Sequence, residues 1–428
     1  MSEDYDVAIV GASLAGSAAA ILLGRAGARV ALIEQRPDPQ AFKRVCSHFI
    51  QGSAVPTLER LGLLEPIAAA GGVRSHARLH TRWGLTPRPA DPRVLAAVNV
   101  RREVLDPMVR ELAAATDGVD LLLGRKAEAL LPEGGVETLE PSGVRTRVPA
   151  RLVVGADGRD SHVAKLAGAR ERIRRHGRFA YGAYYEGPGP ENAPDATIWL
   201  LDPDFAAAFP TDSGLTFYAA MPTMARLPEF KADPAGALDA YLRALPDAPP
   251  MADSRRVSAP VGKLSMPNTI HEPAPRAHAA EGGGSVALIG DAALATDPLW
   301  GVGCGWAAQS AEWLADAVAP ALRGEEPLER GLRRYRREHR RRLRGHAFLI
   351  HDYATGRKLS PVERLLFSAA SRDQRLADRM SLFGIRAAPA RTIMSPALLA
   401  RAAAVDVRHA LRGARAGSSP AAPAAASR

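Results

Sequence analysis

The first thirty-five residues are mostly apolar runs broken by glycine. "YDVAIVG" (Tyr5–Gly11) is rich in apolar and β-branched residues and predicts a buried strand. "SAAAILLGRAG" (Ser17–Gly27) predicts a helix that stops near Gly27, and "RVALIEQ" (Arg29–Gln35) a second buried strand. Strand, helix and strand within about 30 residues make one βαβ unit. Pro56 suits a first helical turn, and Leu58, Leu61, Leu64 and Ile67 have helical spacing, so residues 56–71 are expected to be helical. Arg101–Thr116 is a further amphipathic helix, and Asp120–Gly124 and Ala150–Gly158 are expected strands. From about 174 to 270 the pattern changes to short β-type runs, such as "FAYGAYYEG", "ATIWLL" and "GLTFYAAMP", separated by turn residues and interrupted by one helix at Pro234–Leu245. The α/β pattern returns at Val286, and helices dominate from 305 to about 404.

This order predicts an α/β fold: a Rossmann-like domain with an inserted antiparallel β-sheet and a helical C-terminal region. The expected parts are residues 1–173, with about 74–98 assignable to the sheet instead, the inserted sheet at 174–275, a return to the first domain at 276–325, helices at 326–405 and a disordered, low-complexity tail at 406–428. No internal repeat is visible. The apolar run Val7–Gly24 follows Glu3, Asp4 and Asp6 rather than a basic segment, so it is read neither as a signal peptide nor as a membrane span.

A formal charge of +10 invites a nucleic-acid reading, yet only six of the 56 basic residues are Lys. Such an Arg bias fits composition rather than a binding face, and no nucleic-acid partner is expected. The one cluster, Arg333–Arg344, would as a helix be basic on nearly every face: a solvated surface, or a docking site for an acidic partner or membrane surface. It admits an acidic carrier protein as partner. Cys46 and Cys304 form neither metal-ligand spacing nor a disulfide framework, and a cytoplasmic, reducing setting is expected.

The chemistry begins in the first βα turn, Gly11-Ala12-Ser13-Leu14-Ala15-Gly16. Gly11 permits a tight turn, Gly16 close packing of helix on strand, and the helix start offers free N–H groups to a pyrophosphate. Ser13 replaces the middle glycine of the dinucleotide fingerprint. Glu34, which closes the second strand, can accept hydrogen bonds from ribose hydroxyls, with Gln35 and Arg36 beside it. The segment "VALIGDAALATDPLWGVGCGW" (Val286–Trp306) places Gly290 and Asp291 after a strand, then glycines at 301, 303 and 305, where backbone freedom suits a ligand lying close.

Four segments, in this order along the chain, carry a resemblance: the first βα turn, "VRREVLDPMV" (Val100–Val109), "VVGADGRDS" (Val153–Ser161) and Val286–Trp306. Together they resemble the p-hydroxybenzoate hydroxylase-like superfamily of FAD-dependent group A monooxygenases. That superfamily also holds geranylgeranyl reductases and flavin halogenases. The resemblance implies FAD as cofactor, in a fold of the glutathione reductase-2 type. It implies Arg102, with Arg101 as the alternative, at the pyrophosphate, and Asp157 supporting the flavin. It implies Gly290 and Asp291 at the ribitol, Pro298 over the ring, and Gly301, Val302 and Gly303 beneath it. Leu294 and Gly305 depart from the hydroxylase pattern towards the reductase branch. So does "KRVCSHF" (Lys43–Phe49), which puts Cys46 and Arg44 beside the flavin; Cys46 is equally a buried small hydrophobe, and His48 is read as structural. The implied reaction is oxygenation: hydroxylation or epoxidation of a small organic substrate, one of secondary metabolism included, by O2 through a C4a-hydroperoxyflavin. The resemblance implies NAD(P)H as transient reductant, or reduced flavin or electrons supplied from elsewhere, and the lack of a second dinucleotide fingerprint agrees with it. The inserted sheet would line the pocket, with Phe209 and Pro210 either near it or in the core. The alternative is a reductase of a lipophilic alkene. A halogenase ranks lower, because no Trp-x-Trp-x-Ile-Pro segment is present, and a non-catalytic flavoprotein lower still.

Overall fold

The structure, a computed structural model, describes residues 5–174, 176–263, 268–272 and 284–417. Five parallel strands form the first sheet, in the order Val119–Leu123, Val30–Glu34, Tyr5–Val10, Arg145–Gly155 and Ser285–Leu288. Alternate residues feed two cores. Val7, Ile9, Val30, Leu32, Leu152 and Val154 pack against the helices Leu14–Arg25 and Gly303–Leu322, whereas Ala8, Val10, Ala31, Ile33 and Val153 meet a hairpin and a short helix on the other side. Both faces are covered, which is why these strands read as continuous apolar runs. Their carboxyl ends lie at one edge. Gly11, Glu34, Asp157 and Gly290 all sit there.

The second sheet is mostly antiparallel. Its core order is Ala180–Glu186, Thr216–Met221, Phe205–Pro210, Ala196–Leu200 and Ala77–Thr81; the last strand comes from within the first 100 residues and runs parallel to its neighbour. One face, with Phe179, Trp199 and Tyr218, is covered by the helices Leu227–Ala232 and Pro234–Arg243, two helices where one was expected. The other face, with Ile198, Phe205, Phe209 and Phe217, is covered by the C-terminal helices Pro361–Ala370, Gln374–Gly384 and Pro396–Gly417. Phe209 packs on Phe49 at 5.2 Å between ring centroids. It is therefore a core residue, and the sheet face expected to line a pocket is instead packed against helices.

Three further expectations change. Residues 56–71 form two short helices, Val55–Leu61 and Leu64–Ala69, because Gly62 adopts a left-handed conformation between them (φ 79°). The last helix continues to Gly417, past the expected start of the tail at 406, and residues 418–428 lie outside the described residues. The basic segment lies in the helix Leu328–Tyr353, which is not basic all round: Leu332, Tyr335, Leu343, Ala347 and Ile350 are buried. Arg334 pairs with Glu326, Arg341 and Arg342 pair with Glu338, and Arg342 also lies over the Trp313 ring. Three of its eight arginines are thus matched within the chain, and this surface lends no support to a carrier-protein partner. Among the described residues no helix is long and apolar enough to cross a membrane.

Tyr335 ties this helix to the first sheet, since its buried hydroxyl donates to the Leu288 carbonyl at 2.7 Å. Tyr335→Phe leaves that carbonyl without its partner. It should lower stability by about 1 kcal/mol, measured by urea denaturation of the flavin-loaded protein.

Candidate flavin site

The first turn is built as its glycines predict. Gly11 has φ +104°, and a Cβ at Gly16 would fall 1.8 Å from the Gly11 carbonyl oxygen. The helix start is therefore pressed onto the turn. Ser13 is the N-cap, but its side chain caps nothing, so the N–H groups of the first helical turn, led by Leu14, Ala15 and Gly16, have no side-chain acceptor. Glu34 is buried. One carboxylate oxygen accepts the Ala12 N–H at 3.0 Å and the other the Arg36 N–H at 3.1 Å, which fixes the turn against the second strand. A carboxylate offers about four lone-pair sites, so hydroxyls can still be accepted there. Gln35 and Arg36 are exposed, and Arg36 also reaches the Phe42 carbonyl.

The helix Arg102–Ala114 brings three charged residues into the interior. Arg102 donates through Nε to Asp106 at 2.7 Å and through Nη2 to the Ser13 hydroxyl at 2.7 Å. Asp106 accepts the Lys43 backbone N–H at 2.9 Å. Arg110 donates to the carbonyls of Ala12 and Ala41, and to that of Pro39. These residues recur at every fourth position, which puts them on one helix face beside Leu105 and Val109. That spacing is readable in the sequence; only Arg102 was singled out from it. Arg101 faces elsewhere. Its backbone N–H and Nε donate to Asp212, in the turn between two strands of the second sheet, at 2.7 and 2.6 Å, so of the two arginines only Arg102 reaches the first turn.

Asp291, at the end of the last parallel strand, accepts from Lys43 Nζ at 2.8 Å. Burial works to raise its pKa, but Lys43 more than offsets this and holds the carboxyl below its usual value. Lys43 lies 248 positions away; its stretch was singled out, but nothing in the sequence paired it with Asp291. Gly290 (φ +57°) donates its N–H to Ser310. Pro298 begins a short turn that closes with the Gly301 N–H on its carbonyl at 2.8 Å. Gly301 is left-handed (φ +61°), and a Cβ there would meet the Phe49 ring at 2.8 Å. Val302 precedes the helix Gly303–Leu322 without a side-chain cap; Gly303 is exposed, with nothing within 4 Å of where its Cβ would lie. Asp157 accepts from Ser161 Oγ and from the N–H groups of His162 and Val163, which caps the short helix His162–Leu166. Arg44 is exposed.

Cys46 and Cys304 meet here, with 3.5 Å between sulfurs, and Arg102 Nη1 lies 3.6 Å from Cys304 Sγ. The hydrogen bond from Cys304 holds the Cys46 thiol well below its ordinary pKa, and Arg102 adds to the effect against burial. The same bond, with burial, raises Cys304. Neither cysteine was paired with the other from sequence, although both fall in segments assigned to the flavin. Burial lowers the pKa of His48, so its ring is neutral at pH 7. Nδ1 accepts the Arg102 N–H at 3.0 Å, which leaves the proton on Nε2 facing Tyr184 Oη at 2.6 Å. His48 thereby links this loop to the second sheet.

Two helix starts without side-chain caps, an open glycine at one of them, and acidic residues at two strand ends on one sheet edge suit a long anionic dinucleotide with a flat ring. The first turn would take the pyrophosphate, with Arg102 behind Ser13. The Gly301–Gly303 segment would take the ring.

Known proteins resemble the chain over most of its length. The family described as "FAD binding domain" matches residues 4–212. Digeranylgeranylglycerophospholipid reductase 2 of Methanopyrus kandleri is 28% identical over 345 residues, 78% of this chain and 81% of that protein. Kynurenine 3-monooxygenase of Salinispora arenicola is 30% identical over 319 residues, 69% of this chain and 68% of that protein. Among solved structures, the flavin-dependent brominase Bmp2 matches with a TM-score of 0.74 at 19% identity, over 96% of this chain and 100% of that one, which is a likeness of fold.

Two outcomes check the site. Arg102→Lys keeps a charge beside Asp106 but loses the planar fork that reaches Ser13. It should weaken FAD binding about tenfold in a folded protein, read by fluorescence titration. In the flavin-free protein, alkylation by iodoacetamide should fall on Cys46 before Cys304. Because the thiolate is the reactive form, its rate should reach half-maximum below the ordinary thiol pKa of about 8.5, read by mass spectrometry across pH.

Proposed function

We propose, from the premise that this chain belongs to the family of FAD-dependent monooxygenases and related oxidoreductases sharing the FAD-binding domain, that it inserts one oxygen atom from O2 into a lipophilic organic substrate with NAD(P)H as reductant. The observation that carries this reading is the position of the glycine loop. Trp300 and Val302, on either side of Gly301, form part of the wall of an apolar cavity of about 570 Å³, so a ring seated on the loop has a low-dielectric chamber beside it. When bound, FAD supplies two-electron reduction and the activation of oxygen.

The chain's own groups hold, orient and exclude water. The Gly11–Gly16 turn and Arg102 would anchor the pyrophosphate, and Glu34 the ribose. Asp291, kept ionised by Lys43, would accept from the ribitol. The uncapped start of the helix Gly303–Leu322 would direct its positive end at a ring seated on the loop and stabilise negative charge there. Pro298 and Gly301 shape the loop so that the backbone can approach a flat ligand. The cavity wall, with Leu366, Phe367 and Met380, is largely apolar and would limit water beside the ring, favouring transfer to substrate over loss of oxidant.

A second reading, reduction of a lipophilic carbon–carbon double bond, is favoured by the Cys46–Cys304 pair beside Arg102, where a thiol could deliver a proton, and by the similarity to the archaeal reductase. One experiment separates the two. FAD-loaded protein, NADPH and a library of aromatic and isoprenoid compounds are incubated under 18O-labelled O2 and, in parallel, without oxygen. The oxygenase reading expects a product heavier by one labelled oxygen that forms only with O2. Product that gains two hydrogens without O2 would replace it with the reductase.

A further inference from the structure

The same cavity holds an arginine that the flavin chemistry does not use. Arg386 lies just beyond the helix Gln374–Gly384, with φ +66°. This is the left-handed position that closes a helix and that glycine fills without strain. A β-carbon is tolerated there because the side chain is held from several directions. Nε donates to Gln51 Oε1 at 2.9 Å, and Nη2 to Ser53 Oγ and Gln309 Oε1 at 3.1 and 2.6 Å. The guanidinium also lies over the Trp306 ring at 5.5 Å. All these partners are neutral. Among the described residues no carboxylate comes within 4.0 Å of Arg386, and none accepts from Nη1. Enclosure by the protein lowers its pKa to about 9, and Arg342 adds to this.

The other charges on the wall differ. Arg357 is matched by Asp352 and Glu363, and Lys358 is exposed. The one titratable ring there, His346, is neutral because burial and Arg386 lower its pKa to about 4, and it stacks on Phe383. A partly buried charge without a counter-charge carries a cost, and this one stands at a backbone position that resists a side chain. Both costs are met if a ligand brings the missing negative charge. The guanidinium fork suits a carboxylate.

We propose that this cavity binds an organic carboxylate with an apolar body, its carboxylate paired with Arg386 and its body against Trp300, Phe367, Met380 and Phe383. The site deepens the proposed function by naming a substrate class. It rests on that reading for the ligand's role as substrate, though not for its binding. The volume, about 570 Å³, falls in the range of small-molecule sites. Gln51 couples anion and loop, since its amide nitrogen donates to the carbonyls of Trp300 and Gly384 while its oxygen receives Arg386.

The test is isothermal titration of the FAD-loaded protein with octanoic, decanoic and 2-naphthylacetic acids, each against its own primary amide. At least one acid should bind about tenfold or more tightly than its amide. Arg386→Gln should remove that preference at unchanged FAD content, and Arg386→Lys should retain part of it. Ile393→Trp, which fills the cavity, should weaken acid and amide alike. If no acid binds more tightly than its amide, or if Arg386→Gln keeps the preference, the proposal is overturned; the first comparison needs no variant to fold. Acid binding through Arg386 without oxygen incorporation would remove the oxygenase reading and leave this site. Oxygenation of neutral compounds without any acid preference would do the reverse.

Discussion

Arg102 is 4% exposed, and the carboxylate that balances it, Asp106, is 1% exposed. Breaking such a pair costs about 3–5 kcal/mol, because one charge would be left buried alone. Here the pair also holds the site together. Through Ser13 it touches the first turn, through the Lys43 N–H the loop that carries Cys46, and through the Arg102 N–H the ring of His48. Lys43 then reaches Asp291, and His48 reaches Tyr184. Segments far apart in sequence thus share one polar network in a low-dielectric setting, where each bond depends on the others.

The second sheet is joined to this network by a parallel set of contacts. Asn99 donates to the Pro210 carbonyl, and Arg101 grips Asp212. Adjacent arginines therefore divide the work: one turns towards the first βα turn, the other towards the sheet. The sheet itself is packed on both faces, so its part is to fix the C-terminal helices in place. The chamber lies between those helices and the glycine loop.

Local patterns made the first βαβ unit, the inserted sheet and the helical end legible, because each is written in the period of its apolar residues. The glycines at 11, 16 and 301 were legible because their backbone demands are local. Arg102, Asp106 and Arg110 carry a readable four-residue spacing. The Lys43–Asp291 and Cys46–Cys304 contacts, 248 and 258 positions apart, have no local signature at all. The chamber escaped for a related reason. An amphipathic helix announces that it will bury a face, not which surface will receive it, so a cavity walled by the last helices had no local signature.

The strand Ser285–Leu288 completes a sheet whose other members end by residue 155. Synthesis proceeds from the N-terminus, and long-range parallel pairing is slow. The nascent chain therefore displays Gly11, Glu34 and Arg102 long before Asp291 and Gly303 emerge, and the chamber wall emerges later still. A chain released before the strand Ser285–Leu288 would leave the edge of Arg145–Gly155 unpaired and Lys43 without Asp291.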